Sequence, residues 1–198
     1  MTIIGSRIKR GWNHCDKNYC FGGQSRSSKQ IASKLDKIPH KTYVEPFLGR
    51  GDVYRSKAKH SEREILNDID CKRVKVAKSR ICDTKDQKRC DTMKKAQTSC
   101  GKDYKQFLGK YDNKDTLFYL DPPYHDASKQ GQDAYKTKGL DFDRFVSAVK
   151  NVKQAKVAIS YSNNKQFRKE FCKNGFRCHK IRANIFKNKY HDLLAVKK

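Results

Sequence analysis

Five short apolar runs, each bounded by polar or turn-forming residues, constrain this chain more than any other feature: Thr42 to Phe47, Glu64 to Leu66, Thr116 to Leu120, Lys156 to Tyr161 and Asp192 to Val196. Each has the length of a strand, and near-continuous apolar character is what a strand buried on both faces requires. Helical patterns lie between them. Ser28 to Leu35 is closed by Pro39, Val53 to Lys59 follows a tight turn at Gly49 to Gly51, and Asp70 to Arg80 is helical and basic. Phe142 to Val152 reads as another helix, and Asn163 is placed to cap one running to about Lys173. Gly175 to Arg182 and Tyr190 to Val196 read as two strands joined by a basic loop, while Ile81 to Asp115 is lysine-rich and shows no clear strand. Strands alternating with helices predict an α/β domain whose sheet is mostly parallel and covered on both faces. A length of 198 residues suits one such domain, spanning 1–198.

The apolar runs matter because the composition alone sits near the disordered regime. Mean hydropathy is −0.98, and 46 Lys and Arg against 21 Asp and Glu leave a formal net charge of +25. Clustered apolar residues in such a chain imply a folded core under a strongly basic surface, and a basic surface seeks polyanions. No run approaches the roughly 20 apolar residues of a membrane span, and the N-terminus shows no apolar signal core. The expectation is therefore an intracellular protein that does not enter membranes, with its eight cysteines reduced. No metal is expected. There is no Cys-x-x-Cys pair, and the groupings His14, Cys15, Cys20 and Cys82, Cys90, Cys100 are spaced too widely for a structural zinc site.

Chemistry concentrates at the ends of the strands, where open parallel sheets bind ligands. Leu120-Asp121-Pro122-Pro123-Tyr124 follows an apolar strand directly, and two consecutive prolines make a rigid platform for Asp121 and Tyr124. An exocyclic amino group is a poor nucleophile because its lone pair is delocalised into the ring. If the Asp121 carboxylate and the Pro122 carbonyl accept its two hydrogens, the nitrogen can pyramidalise toward an electrophile while Tyr124 stacks on the base. Tyr43 to Gly51 enters a glycine-punctuated turn, which suits close approach of a nucleoside. The third glycine of the dinucleotide fingerprint is absent, so a nucleoside without phosphate fits better than a dinucleotide. Asp68 ends the second strand, where a carboxylate can accept from both ribose hydroxyls, whereas Asp70 reads as the cap of the next helix.

Taken in order, Phe21-Gly22-Gly23-Gln24-Ser25-Arg26, Val44-Glu45-Pro46-Phe47-Leu48-Gly49-Arg50-Gly51, Asn67-Asp68-Ile69-Asp70, Asp121-Pro122-Pro123-Tyr124 and Ala158-Ile159-Ser160-Tyr161-Ser162 resemble the Dam-type adenine-specific DNA methyltransferases. The resemblance runs from about Tyr19 to Val196. It implies a Rossmann-like methyltransferase sheet, mostly parallel with an antiparallel last strand, and S-adenosylmethionine (AdoMet) as cofactor. It places Phe21, Gly22, Gln24, Pro46, Phe47, Gly49 and Gly51 at the cofactor, with Glu45 near the methionine end and Asp68 on the ribose. Asp121, Pro122, Pro123 and Tyr124 would hold a flipped adenine. Where the family usually carries Lys, this chain has Gln24, with Arg26 and Lys29 as alternative sources of charge.

The resemblance also puts target recognition between Asp70 and Thr116, here the short segment 71–115. Arg80 and Arg89 are candidates for guanine contacts and Lys88 for phosphate, with Arg182, Lys187 and Lys189 in and beside the later basic loop as further DNA contacts. The implied substrate is double-stranded DNA with a target of about four base pairs or fewer, read by a monomer. Four alternatives stay open: an RNA, a cytosine-N4 or a protein-glutamine methyltransferase, and a DNA-binding relative with impaired catalysis.

Overall fold

The structure is a computed structural model that describes residues 27–83, 86–123, 140–185 and 188–197, with backbone alone for 182–185 and 188–191. Seven strands form one sheet in the order β3-β2-β1-β4-β5-β7-β6. Its centre is β1 (Thr42–Glu45), β4 (Thr116–Leu120) and β5 (Lys156–Ser162), with β2 (Arg63–Asp68) and β3 (Gln97–Cys100) on one side. On the other side β7 (Asn188–Lys197) is inserted antiparallel between β5 and β6 (Arg177–Ile185), and the remaining pairings are parallel. This is the mostly parallel sheet with an antiparallel last strand that the sequence predicts.

All five residues of β4 are buried, because helices cover both faces. One face carries Tyr43, Leu66, Leu117, Tyr119, Ala158 and Leu194 beneath α1 (Ser28–Leu35), α2 (Asp52–Ser56), α3 (Cys71–Cys82) and α4 (Gln87–Lys95). The opposite face carries Val44, Ile65, Phe118, Leu120, Ile159 and Tyr161 beneath α5 (Tyr104–Lys110) and α6 (Phe142–Lys150). In α6 the buried residues Phe142, Phe145, Val146 and Val149 recur at helical spacing, and Asp141 caps the helix by accepting from Arg144 N at 3.0 Å.

Several sequence expectations are corrected. The stretch 81–115 does contain a strand. β3 is an edge strand of polar, partly buried residues, so it lacks the apolar signature of the central strands. Segment 71–115 is accordingly built into the layers as α3, α4, β3 and α5, with Ile81, Met93 and Phe107 in the core. The helix after β5 is capped by Asn164, which accepts from Phe167 N at 2.7 Å, and not by Asn163; a short turn at Lys165–Phe167 continues as π-helix through Arg168–Cys172.

Among the described residues the cysteines are not reduced thiols. Among the described residues three disulfides form: Cys71–Cys100, Cys82–Cys90 and Cys172–Cys178. Their Cα separations of 4.9, 4.4 and 5.5 Å are set by the fold, since the β2-α3-α4-β3 crossover returns Cys100 beside the start of α3. No helix among the described residues is long and apolar enough to cross a membrane.

The basic loop before the last strand is mostly hairpin. β6 and β7 stay paired from Arg177↔Val196 to Ile185↔Asn188, whereas β5 leaves β7 at Ser162↔Asp192. Residues 182–185 and 188–191 therefore extend as paired strands past the carboxyl end of β5.

Candidate active site

The loops after β1, β2 and β3 are bolted together by two residues at the end of β2. Asn67 donates from Nδ2 to the carbonyls of Pro46 at 3.2 Å and Lys102 at 2.9 Å, accepts from Ser99 Oγ at 3.1 Å, and its own carbonyl receives Leu48 N at 2.8 Å. Asp68 takes the next step. Its Oδ2 accepts from Gly49 N at 2.7 Å, its Oδ1 from Asp70 N at 2.9 Å, and its backbone carbonyl from Gly101 N at 3.0 Å. Burial raises the Asp68 pKa, opposed by those same amides of Asp70 and Gly49. Asp70 caps α3 by accepting from Lys72 N, as expected.

The turn itself needs its glycines. Gly49 and Gly51 have φ of 54° and 70°, a region that side-chain-bearing residues rarely adopt. A Cβ at Gly51 would also lie 3.1 Å from Ile81 Cδ1 and 3.2 Å from Ala77 Cβ, so this glycine permits close packing of the turn on α3. Asp52, buried at the start of α2, pairs with Arg80 Nη1 at 2.8 Å, and the same nitrogen donates to Arg50 O at 3.2 Å. Arg80 thus ties α3 to the turn. Phe47 is half-buried, its ring 5.1 Å from that of Tyr104 and 6.3 Å from that of Phe145. The Tyr104 hydroxyl beside it is buried without a hydrogen-bond partner among the described residues.

Glu45, Asp68, Asp121 and Ser160 continue the strand faces that lie under α1 to α4. Glu45 is almost fully buried and accepts from the Tyr43 hydroxyl at 2.8 Å. Burial pushes its pKa up to about 8. The Tyr43 hydroxyl and Lys57 work against that rise, and the neighbouring carboxylates Asp121 and Glu64 add to it. Asp121 stands half-exposed directly after β4, followed by buried Pro122 and half-exposed Pro123. Its Oδ1 accepts from Ser160 Oγ at 2.7 Å, and Ser160 Oγ is 2.8 Å from the Tyr119 hydroxyl.

A second buried polar group lies further down the same face. Lys57, with a side chain fully removed from solvent, sits 3.2 Å from Glu64 Oε1 and 3.4 Å from the centre of the Tyr43 ring. Glu64 also receives the Tyr54 hydroxyl, Ser61 N at 2.9 Å and His60 Nδ1 at 3.3 Å. Burial opposes its ionisation, but the His60, Lys57, Tyr54 and Ser61 contacts prevail and hold its pKa down at about 2.

Glu45, Pro46, Phe47, Gly49, Gly51, Asp68, Asp121, Pro122 and Pro123 are thus gathered at the carboxyl edge of β1, β2 and β4. Phe21, Gly22, Gln24, Tyr124 and Lys187 lie outside the described residues, and of Arg182 and Lys189 only the backbone, in the hairpin, is described. Arg89 holds Asp86 at 2.6 Å on α4, with exposed Lys88 beside it. Sequence reasoning missed the bolting role of Asn67, the Tyr104 hydroxyl, the Ser160 and Tyr119 contacts and buried Lys57. A polar residue inside an otherwise apolar strand was the available signal for Asn67, Tyr119 and Ser160.

The model of the D12 class N6 adenine-specific DNA methyltransferase family matches residues 21–99 and 87–185. The chain belongs to this family. No curated protein sequence matches it. Among solved structures, the D12 chain resembles SMU.1697c from Streptococcus mutans in complex with SAH (TM-score 0.58, 11% identity, 87% of this chain and 98% of that one). It also resembles the O-methyltransferase TomG from Streptomyces achromogenes in complex with SAM (TM-score 0.58, 10% identity, 90% and 82%). A third is magnesium protoporphyrin IX methyltransferase from Synechocystis PCC 6803 with bound SAM (TM-score 0.52, 13% identity, 87% and 80%). At such identities the likeness shows the Rossmann-like methyltransferase fold.

Proposed function

We propose that this D12 chain transfers a methyl group from AdoMet to the N6 amino group of adenine in double-stranded DNA. The observation that carries the reading is Asp121: a half-exposed carboxylate at the mouth of a fully buried strand, held by Ser160 and followed by two prolines. The residues present fit the cofactor. Asp68 uses one lone pair of each carboxylate oxygen on backbone amides and retains acceptor capacity for ribose hydroxyls. The Tyr104 hydroxyl beside Phe47, without a hydrogen-bond partner among the described residues, offers a further polar contact, and Glu45 a carboxylate for the methionine ammonium. When bound, AdoMet supplies an electrophilic sulfonium methyl.

The chain's own residues then act on the base. Asp121 and the Pro122 carbonyl accept the two amino hydrogens, which localises the nitrogen lone pair and aims it away from both acceptors. On taking up the methyl group the amino nitrogen would gain positive charge, which the Asp121 carboxylate would stabilise until one amino proton passes to it and on to solvent. By family likeness Tyr124 stacks on the flipped base, and Phe21, Gly22 and Gln24 border the cofactor. Flipping costs a few kcal/mol, which stacking and hydrogen bonding offset. A net charge of +25 supports a polyanionic substrate. The hairpin that carries Arg182 and Lys189 extends past the edge that carries Asp121, the sequence adds Lys187 as a candidate contact, and Lys88 and Arg89 offer further phosphate or base contacts. Arg80, engaged by Asp52, serves the fold.

The test is incubation with tritiated AdoMet and a panel of duplex DNA, RNA and protein, followed by nucleoside mass spectrometry. N6-methyladenine in DNA is expected, and Asp121→Ala abolishes it by removing about 3 kcal/mol or more of transition-state stabilisation. Label confined to RNA, protein or cytosine, or an Asp121→Ala variant as active as the parent, overturns the reading.

A further inference from the structure

We propose that Ser160, backed by Tyr119, is a positioning residue that fixes the Asp121 carboxylate for methyl transfer; the inference rests on the assignment of Asp121 as acceptor of the target amino group. Ser160 and Tyr119 are both fully buried, on adjacent parallel strands β5 and β4. Their register pairs Tyr119 with Ala158 and Leu120 with Ile159, so its continuation puts Ser160 abreast of Asp121. On its other side Ser160 is paired with Leu194, which has no polar side chain to offer. A buried hydroxyl in an apolar strand costs free energy unless it is bonded.

The direction of the bonds follows from proton count. A serine hydroxyl carries one proton. Ser160 gives it to Asp121 Oδ1 at 2.7 Å, so the 2.8 Å contact with Tyr119 is one in which the phenol donates and Ser160 accepts. The result is a directed chain, Tyr119 to Ser160 to Asp121, that ends on a carboxylate. A hydrogen bond to a charged acceptor is stronger than a neutral one, and a donor that is itself polarised by another donor strengthens further.

Its use lies in geometry. A half-exposed carboxylate rotates about χ2 and presents its oxygens over a range of directions. With Oδ1 pinned from the sheet, the plane of the carboxylate is set relative to the Pro122 carbonyl, which the proline ring already restricts. Both acceptors of the amino hydrogens are then in place before the base arrives, so the reaction spends little on ordering them.

The experiment compares steady-state methyl transfer by the full chain and by Ser160→Ala, Ser160→Cys, Ser160→Thr, Tyr119→Phe, Ser160→Ala/Tyr119→Phe and Asp121→Ala. Ser160→Ala and Ser160→Cys, the latter keeping the volume but donating poorly, lower kcat about 10- to 100-fold, the scale seen when a hydrogen-bonded partner behind a metal ligand is lost. KM for DNA and AdoMet stays within about twofold. Ser160→Thr, which restores the donor, recovers most of kcat. Tyr119→Phe has a smaller effect, and the double variant is no slower than Ser160→Ala, because the proposed contribution of the phenol passes through the serine. Ser160→Cys with parental kcat, or a folded Ser160→Thr as slow as Ser160→Ala, overturns the proposal, as does multiplicative loss in the double variant. If Asp121→Ala is itself silent, the reading of the reaction fails; if Asp121→Ala is inactive and the serine variants are not, only the positioning role fails.

Discussion

The backbone amide of Gly49 donates to Asp68 Oδ2 at 2.7 Å, which joins the turn after β1 to the acidic end of β2 as one mechanical unit. Asp68 therefore serves the fold, and in the proposed cofactor role it serves the ligand as well. Asp68→Ala should weaken AdoMet binding by roughly 1.5 to 3 kcal/mol, the usual worth of a hydrogen bond to a charged group. It should also lower stability by about 1 to 3 kcal/mol, since the Gly49 amide loses its acceptor in a buried turn. Isothermal titration and thermal melting measure the two effects separately. Unchanged AdoMet affinity with reduced stability would leave Asp68 with its structural role alone.

Glu45 gives the site a definite pH dependence. With its pKa pushed up to about 8 by burial, this carboxyl is protonated in the free protein at neutral pH. The proposed methionine ammonium favours the ionised form, so binding below pH 8 releases a proton. AdoMet affinity should rise with pH toward about 8 and level off above it. Titration at pH 6 to 9 in two buffers of different ionisation enthalpy reads both the affinity and the proton count, and Glu45→Gln should flatten the profile. The same shift acts on stability with the opposite trend. Between the ordinary value of 4.5 and about 8 the folded state holds a proton that the unfolded state has lost, so this group's contribution declines as pH rises through that range. A parental profile without pH dependence contradicts the placement of Glu45.

Lys57 and Glu64 are a buried pair whose partners cannot be removed singly. Lys57→Met leaves Glu64 charged, with its hydrogen bonds but without its cation, and should cost about 3 to 5 kcal/mol in urea unfolding. Lys57→Met/Glu64→Gln should recover a substantial part of that loss, because no uncompensated charge remains. A single variant as stable as the parent would show that Tyr54, His60 and Ser61 suffice to hold the carboxylate.

The central strands were legible because burial on both faces leaves no room for polar alternation: β1, β4 and β5 read as apolar runs and occupy the middle of the sheet. At the edge the same logic fails, and Gln97–Cys100 pairs by backbone while its side chains stay half in water. Lys57 was hidden for a different reason. The expected helix to Lys59 ends at Ser56, and the extended backbone at 57 turns the lysine inward to Glu64. Disulfides such as Cys71–Cys100 arise from a crossover that closes 29 residues, a proximity that sequence spacing does not encode. The gathering of Asp68, Asp121 and the glycine turn at one edge of the sheet was legible because each follows the end of a predicted parallel strand.

The proposed DNA contacts divide by what each basic side chain already does. Arg80 is engaged by Asp52 and by the Arg50 carbonyl, so Arg80→Ala should lower the melting temperature by loosening α3 from the turn and leave the methylated sequence unchanged. The hairpin behaves differently. Its backbone pairing runs past the end of β5, on the edge that carries Asp121, and it carries Arg182 and Lys189, to which the sequence adds Lys187 as a candidate contact. If these residues meet phosphates, the logarithm of DNA affinity should fall linearly with the logarithm of salt concentration, and each replacement by Gln should reduce the slope by about 0.9. Lys88→Gln should act in the same way from α4, weakening all sequences alike, whereas Arg89→Ala should relax the preference at one position if its guanidinium leaves Asp86 for a base edge. Fluorescence anisotropy across a salt series measures the slopes, and single-molecule sequencing of DNA from a host without adenine methylation measures the preference. A slope unchanged in the triple hairpin variant would move the DNA to another face of the domain.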